Sequence, residues 1–261
     1  MFNAAVTLPS PPLRFHTGAA THVGKVRQRN EDGYLARPDV GLWAVADGMG
    51  GLEAGDLASR TVIDALKSIE RPSSAAELLA WCEQRVVTAN SVINDIGHKR
   101  GSIIGTTIAV LLAYGSRFAC VWSGDSRIYL VRDRAIIAQS RDHTEVQELI
   151  AEGKLKPDEA RTWPRRNVVT RAIGVHDDPE LELRDGVLQA GDAFVLCSDG
   201  LTTHVEDSEI LRTVMENPSQ RACDVLIDLT LSRGALDNVT VVVARFQPDG
   251  EMPAGPADIW E

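Results

Sequence analysis

Cysteine is scarce in this chain, and its placement excludes two kinds of site. Cys82, Cys120, Cys197 and Cys223 form no C-x-x-C pair and no zinc-ligand spacing. Three of them (Cys82, Cys120 and Cys197) sit in apolar-patterned segments, which reads as buried free thiols in a reducing compartment. The six histidines show no ligand spacing either. Long apolar runs are also missing. None approaches the roughly 18 residues that suggest a membrane span. The opening MFNAAVTLPSPPLRF has no basic n-region and no long apolar h-region, so no secretory signal is expected. The expectation is a cytoplasmic protein without membrane association. Basic residues are in the minority: 27 Lys and Arg against 37 Asp and Glu give a net charge of −10. Nucleic acid is therefore not expected as a partner, because clustered Lys and Arg hold its backbone. Phosphorylated ligands stay open, since bound cations invert the local field of an acidic site.

What is present is the composition of a folded protein, 44% hydrophobic and 25% charged over 261 residues. That length is enough for a sizeable core. Residues 1–13 read as a flexible Pro-rich leader and 248–261 as a flexible acidic tail. Between them, 14–247 reads as one domain without internal repeats. Leu42–Ala46 is a short apolar run ending at Asp47-Gly48. Helical spacing follows over 55–70 (Ala58, Val62, Leu66, Ile69) and 75–96, with Ser74 and Glu77 as a capping box. Strand-like runs cover Thr106–Ala113, Phe118–Trp122, Arg127–Val131 and Ala135–Gln139, the last two joined by a hairpin at Arg132-Asp133-Arg134. A helix-prone stretch spans Thr144–Gly153. A strand at Ala193–Cys197, helices near 207–216 and 219–233, and a strand at Val239–Phe246 complete the order. Clustered strands with helices between the clusters predict an α+β fold of packed antiparallel sheets with helices outside.

Carboxylates recur beside the strand-like runs. Asp47-Gly48 and Asp199-Gly200 each follow one, Asp125 follows another after Ser123-Gly124, and Asp237-Asn238 precedes the last. Asp-Gly alone is a common turn dipeptide. Four such sites, with Glu31-Asp32, predict convergence at one edge of the sheets. Unpaired carboxylates held together repel one another and take raised pKa values. A cation resolves that conflict, and an all-oxygen donor set suits magnesium or manganese.

These residues stand in motifs. Gly24–Asp32 (GKVRQRNED) resembles the opening motif of 2C-type metal-dependent serine/threonine protein phosphatases, which in bacteria reads G-x-x-R-x-x-N-E-D. AVADGMGG at 44–51, Gly105-Thr106-Thr107, Gly124-Asp125-Ser126-Arg127, Asp142-His143, Ser198-Asp199-Gly200-Leu201 and Asp237-Asn238-Val239-Thr240 match the later motifs in the family order. The resemblance implies a central two-sheet antiparallel β-sandwich flanked by helices on both sides, in α-β-β-α layers, with the site at one end. It implies two divalent cations, Mn2+ or Mg2+. Asp47 would bridge them, the Gly48 carbonyl would complete one, and Asp199 and Asp237 would bind the other. Glu31 would reach a metal through water. Asp125 with Asp199 would form a weaker third site. Arg27 would clamp the substrate phosphate, its donors matching two phosphate oxygens. Direct attack of a metal-bridging hydroxide would hydrolyse phosphoserine or phosphothreonine in phosphorylated proteins, opposing a bacterial Ser/Thr kinase. The segment at about 144–170 resembles the variable flap of bacterial members. A monomer is the default.

Two positions depart from the family pattern. Met49 stands where many animal and plant members place a histidine as proposed general acid, and methionine cannot donate a proton. Thr203 stands where a second aspartate can follow the Asp199 position, which weakens the third site. His143 carries no assigned catalytic role and is expected to be structural. A cysteine-based phosphatase needs a C-x5-R loop. The sixth residue after Cys120 is Ser126, and Arg127 comes one place late. A catalytically degenerate phosphoprotein-binding regulator is the alternative from another class.

Overall fold

Alternation hidden inside the apolar runs sets the architecture. In a strand, successive side chains point to opposite faces. Leu42, Ala44 and Ala46 pack with one hydrophobic cluster, and Trp43 and Val45 with another. Phe194 and Leu196 likewise separate from Ala193, Val195 and Cys197. Both faces are covered, so these strands read as unbroken apolar stretches.

The computed structural model describes residues 14–50 and 54–247. The expected leader and tail lie outside them. The strands in chain order are β1 (Phe15–His22), β2 (Asp32–Arg37), β3 (Leu42–Gly50), β4 (Ile104–Thr106), β5 (Ile108–Tyr114), β6 (Arg117–Ser123), β7 (Arg127–Arg132), β8 (Ala135–Ala138), β9 (Glu182–Val187), β10 (Ala193–Cys197) and β11 (Val239–Phe246). The helices are α1 (Ala54–Lys67), α2 (Ala75–Arg100), α3 (Glu145–Ala151), α4 (Asp199–Thr202), α5 (Asp207–Glu216) and α6 (Ser219–Ser232).

One antiparallel sheet runs β1-β11-β10-β7-β8. The other runs β2-β3-β5-β6-β9, with β4 added to β3. Trp43, Leu111, Phe118, Phe194, Val242 and Phe246 fill the space between the sheets. Helices α1 and α2 cover the β3 sheet through Ala58, Val62, Leu66, Leu78 and Val86. Helices α5 and α6 cover the β11 sheet through Ile210, Val214 and Leu226. The layers are therefore α-β-β-α, as the resemblance implied. Each large side chain fully buried this way contributes roughly 1.5–3 kcal/mol.

Local expectations hold with several adjustments. The β7–β8 hairpin turns at Asp133 and Arg134, both with positive φ (50° and 61°), the twist favoured in two-residue hairpin loops. Helix α2 starts where expected, with Ser74 Oγ accepting from the Glu77 N–H at 3.1 Å. The expected capping box is only half formed, because the Glu77 carboxylate accepts from the backbone and hydroxyl of Ser73. Ile69 is buried but lies beyond the end of α1. The run at Thr106–Ala113 is two strands, broken at Thr107. Strands β1, β2 and β9 had no counterpart in the apolar pattern.

Candidate metal centre

Asp47 lies inside β3, because the strand continues past the apolar run to Gly50 by pairing with β4. Its backbone is held on one side by three bonds. Asp47 N–H donates to Thr107 Oγ1 at 3.0 Å, and Asp47 C=O accepts from Thr107 N–H at 2.8 Å and Thr106 Oγ1 at 2.9 Å. Gly48 has no room for a side chain: a Cβ there would lie 2.0 Å from the Gly55 carbonyl oxygen of α1. The other aspartates arrive from separate elements. Asp125 lies in the β6–β7 turn, Asp199 is the first residue of α4, and Asp237 lies two residues before β11. Asp32, on β2, is directly opposite Asp47 in the register.

Arg27, Glu31, Asp47, Gly48, Met49, Asp125, Asp199 and Asp237 line one pocket of about 240 Å³. All seven residues expected at the site meet there. Burial pushes the Asp47 carboxyl well above its ordinary value, and Asp32, Asp199, Asp125 and Asp237 push it further. Asp125 is raised to about 8, by burial first and then Asp199. Asp199 is raised to about 6, by burial and Asp237. Asp32 is raised to about 7, chiefly by burial. Its Oδ2 accepts from Ser198 Oγ at 2.8 Å and Thr240 Oγ1 at 2.7 Å. Its Oδ1 is buried without a partner among the described residues.

A divalent cation fits this donor set. The side-chain donors are carboxylate oxygens, the Gly48 carbonyl adds another, and an orphaned buried oxygen stands beside them. As the side chains stand, no group of three acidic, histidine or cysteine residues among the described residues is closed tightly enough to hold an ion. Asp237 instead takes the Arg27 guanidinium, Nη2 to Oδ2 at 2.6 Å. That contact raises the arginine further above its already high value.

Motif residues outside the expected ligand set frame the site. Asn238 Oδ1 accepts from Glu31 N–H at 2.8 Å, and its amide donates to the Val23 and Arg29 carbonyls. It fixes the Arg27–Glu31 loop to the start of β11. Asp32, Ser198 and Thr240 tie the two sheets together at the site end. Their motif membership was the available signal, and the cross-sheet partners were not in the sequence. His143 does not line the pocket. Its Nδ1 accepts from Gly124 N–H at 3.2 Å, and its Nε2 lies 3.1 Å from Glu182. Burial lowers its pKa, so the imidazole is a neutral brace for the Asp125 turn.

An α-β-β-α sandwich with carboxylates gathered at one end of its sheets defines a known class. The chain belongs to the protein phosphatase 2C family, whose pattern matches residues 21–226. It is 40% identical over 224 residues to the serine/threonine protein phosphatase PstP of Mycobacterium tuberculosis. That match covers 85% of this chain but only 43% of the relative's length. Among solved structures, PppA, a type VI secretion regulatory component of Pseudomonas aeruginosa, superposes with a TM-score of 0.83 at 39% identity. The match covers 89% of this chain and 97% of PppA. The catalytic domain of PstP in complex with two manganese ions superposes at 0.80 and 37% identity, covering 90% of this chain and all of that domain.

Proposed function

We propose that this chain is a metal-dependent protein phosphatase acting on phosphoserine and phosphothreonine, and that it opposes a Ser/Thr kinase in the cytoplasm. One observation carries the reading: four aspartates from four separate elements share a single pocket with Arg27. Asp47, the Gly48 carbonyl, Asp199 and Asp237 would hold two divalent cations, manganese or magnesium, with Glu31 at the edge. Asp125 with Asp199 would hold a weaker third. Such ions lower the pKa of water and neutralise phosphoryl charge. Arg27, half-exposed, would exchange Asp237 for two oxygens of the substrate phosphate. Met49 lines the pocket but holds no transferable proton.

A phosphoprotein substrate is supported by the space beside the centre. A second cavity of about 740 Å³ shares Asp125, Asn167 and Asp199 with the first. Thr144, Val146, Gln147 and Asn167 of the flap form one wall, and residues of α4 and α5 the other. This cavity would take polypeptide flanking the phosphorylated residue, with the flap along its path. A reducing compartment is supported by the four unpaired, buried cysteines. No helix among the described residues is long and apolar enough to cross a membrane.

The test is manganese-dependent hydrolysis of p-nitrophenyl phosphate and of a phosphothreonine peptide. Wild type should turn over both and lose activity in EDTA. Asp47→Ala should abolish turnover. Near-wild-type activity of that variant would overturn the assignment. Phosphopeptide binding by wild type without any hydrolysis would favour the degenerate regulator.

A further inference from the structure

We propose that Asn90, in helix α2 on the outer face of the β3 sheet, is a positioning residue for the metal centre. The inference rests on the metal-site reading above. Asn90 lies in the interior of α2 and is completely buried. An asparagine inside a helix is neutral to unfavourable there, since its side chain competes for backbone partners. Here it reaches out of the helix. Its amide donates to the carbonyls of His176 and Asp177 at 2.8 and 2.9 Å, and its Oδ1 accepts from Gly174 N–H at 2.6 Å. Both amide hydrogens are used, and three peptide groups of one loop depend on a single side chain.

That loop is clamped hard against α2. Gly174 has φ 92°, and a Cβ there would lie 2.2 Å from Ile93 Cγ2. The next residue back, Ile173, is fully buried and forms a reciprocal backbone bridge with Thr106, at 2.9 and 3.0 Å. Thr106 is the residue of β4 that faces Gly48 in the register. Its hydroxyl donates to the Asp47 carbonyl. A continuous chain of short contacts therefore runs Asn90, Gly174–Ile173, Thr106, Asp47–Gly48. β4 is only three residues long, so it has little stiffness of its own. It is held between β3 and the Ile173 segment, and Asn90 fixes that segment. Without Asn90 the segment can withdraw, and the Asp47–Gly48 backbone loses its outer support.

Neighbours that orient metal ligands commonly change metal affinity by about 10–100-fold when removed. The experiment is calorimetric titration of manganese into the EDTA-stripped, buffer-exchanged full chain. Asn90→Ala should weaken binding about tenfold, towards the lower end of that range, while the far-ultraviolet circular dichroism stays unchanged. Asn90→Asp keeps the size and the acceptor but loses both donors, and should weaken binding in the same direction if the alanine variant does not fold. Thr106→Val removes the hydroxyl that reaches Asp47 and keeps the backbone bridge. Combined with either Asn90 variant, it should lose less than the product of the single losses, because both act on one support. Asn94→Ala, which removes only a 3.4 Å bond to Gly174, should leave affinity near wild type. Wild-type manganese affinity in a folded Asn90 variant overturns the proposal, and so do fully multiplicative losses with Thr106→Val. Failure of the wild-type chain to bind manganese overturns the metal centre itself, and this inference with it.

Discussion

Arg27 and Asp237 form an ion pair, although the proposed function asks something else of each. The guanidinium suits a phosphate and the carboxylate suits a cation. Removing Arg27 should therefore separate two properties that usually fall together. Charged hydrogen bonds to a ligand are worth about 1.5–3 kcal/mol, or about 10–100-fold. Arg27→Ala should lower kcat/KM for a phosphopeptide by about that factor, and its manganese affinity should not weaken. Steady-state kinetics with parallel metal titration checks this. The aspartates give a second consequence. Asp32, Asp125 and Asp199 carry folded-state pKa values of about 7, 8 and 6, all above the ordinary 3.8. Their ionised forms are disfavoured in the fold, so the folded state binds more protons than the unfolded chain between pH 4 and 8. Stability then falls as pH rises through that window. In EDTA, the urea midpoint should be higher at pH 5.5 than at pH 8.5. Saturating manganese should reverse or flatten the trend at high pH, and a flat EDTA profile would contradict the raised values.

Elements meet at close backbone contacts as well as through side chains. Gly18 in β1 lies under the first turn of α6, and a Cβ there would stand 2.3 Å from the Ser219 carbonyl carbon. Neither backbone can yield without lifting the helix from the sheet. Gly18→Ala should cost about 1–3 kcal/mol, the usual range for overpacking, read as a urea midpoint shift. The sequence made some elements plain and concealed others for physical reasons. β10 and β11 were legible end to end because both faces are buried and apolar. β9 (ELRDGV) is a largely exposed edge strand, and β1 (FHTGAATH) is built of small and polar residues, so neither offers an apolar run. β3 outruns its apolar stretch because pairing with β2 at Asp47 and with β4 over Gly48–Gly50, and not hydrophobicity, carries it on. The same limit applies to the site. Motif order brought out Arg27, Glu31, Gly48 and the four aspartates. Asn90 lies outside those motifs, and its partners are more than 80 residues away, a distance that local pattern cannot cross.

Across the whole molecule, the proposed metal centre straddles the two sheets. Asp47 belongs to the β3 sheet, whereas Asp199 and Asp237 adjoin β10 and β11 of the other. A ligand shared by both layers and bound only by the folded state stabilises it by mass action, about 2.7 kcal/mol at a concentration one hundred times Kd. Manganese should therefore raise the thermal midpoint in a concentration-dependent way, and Asp237→Asn should reduce the shift. Calorimetric scans with and without EDTA measure both. The four buried thiols have a consequence of another kind. Cys82 lies in the layer between α1–α2 and their sheet, Cys120 between the sheets, and Cys197 and Cys223 beneath α5–α6. Burial pushes the thiols of Cys82, Cys197 and Cys223 up to about 12, so they are unreactive while their layer stays shut. The chain thus carries a native reporter in each of its three hydrophobic layers, and alkylation followed by peptide mapping would give the order in which the layers open.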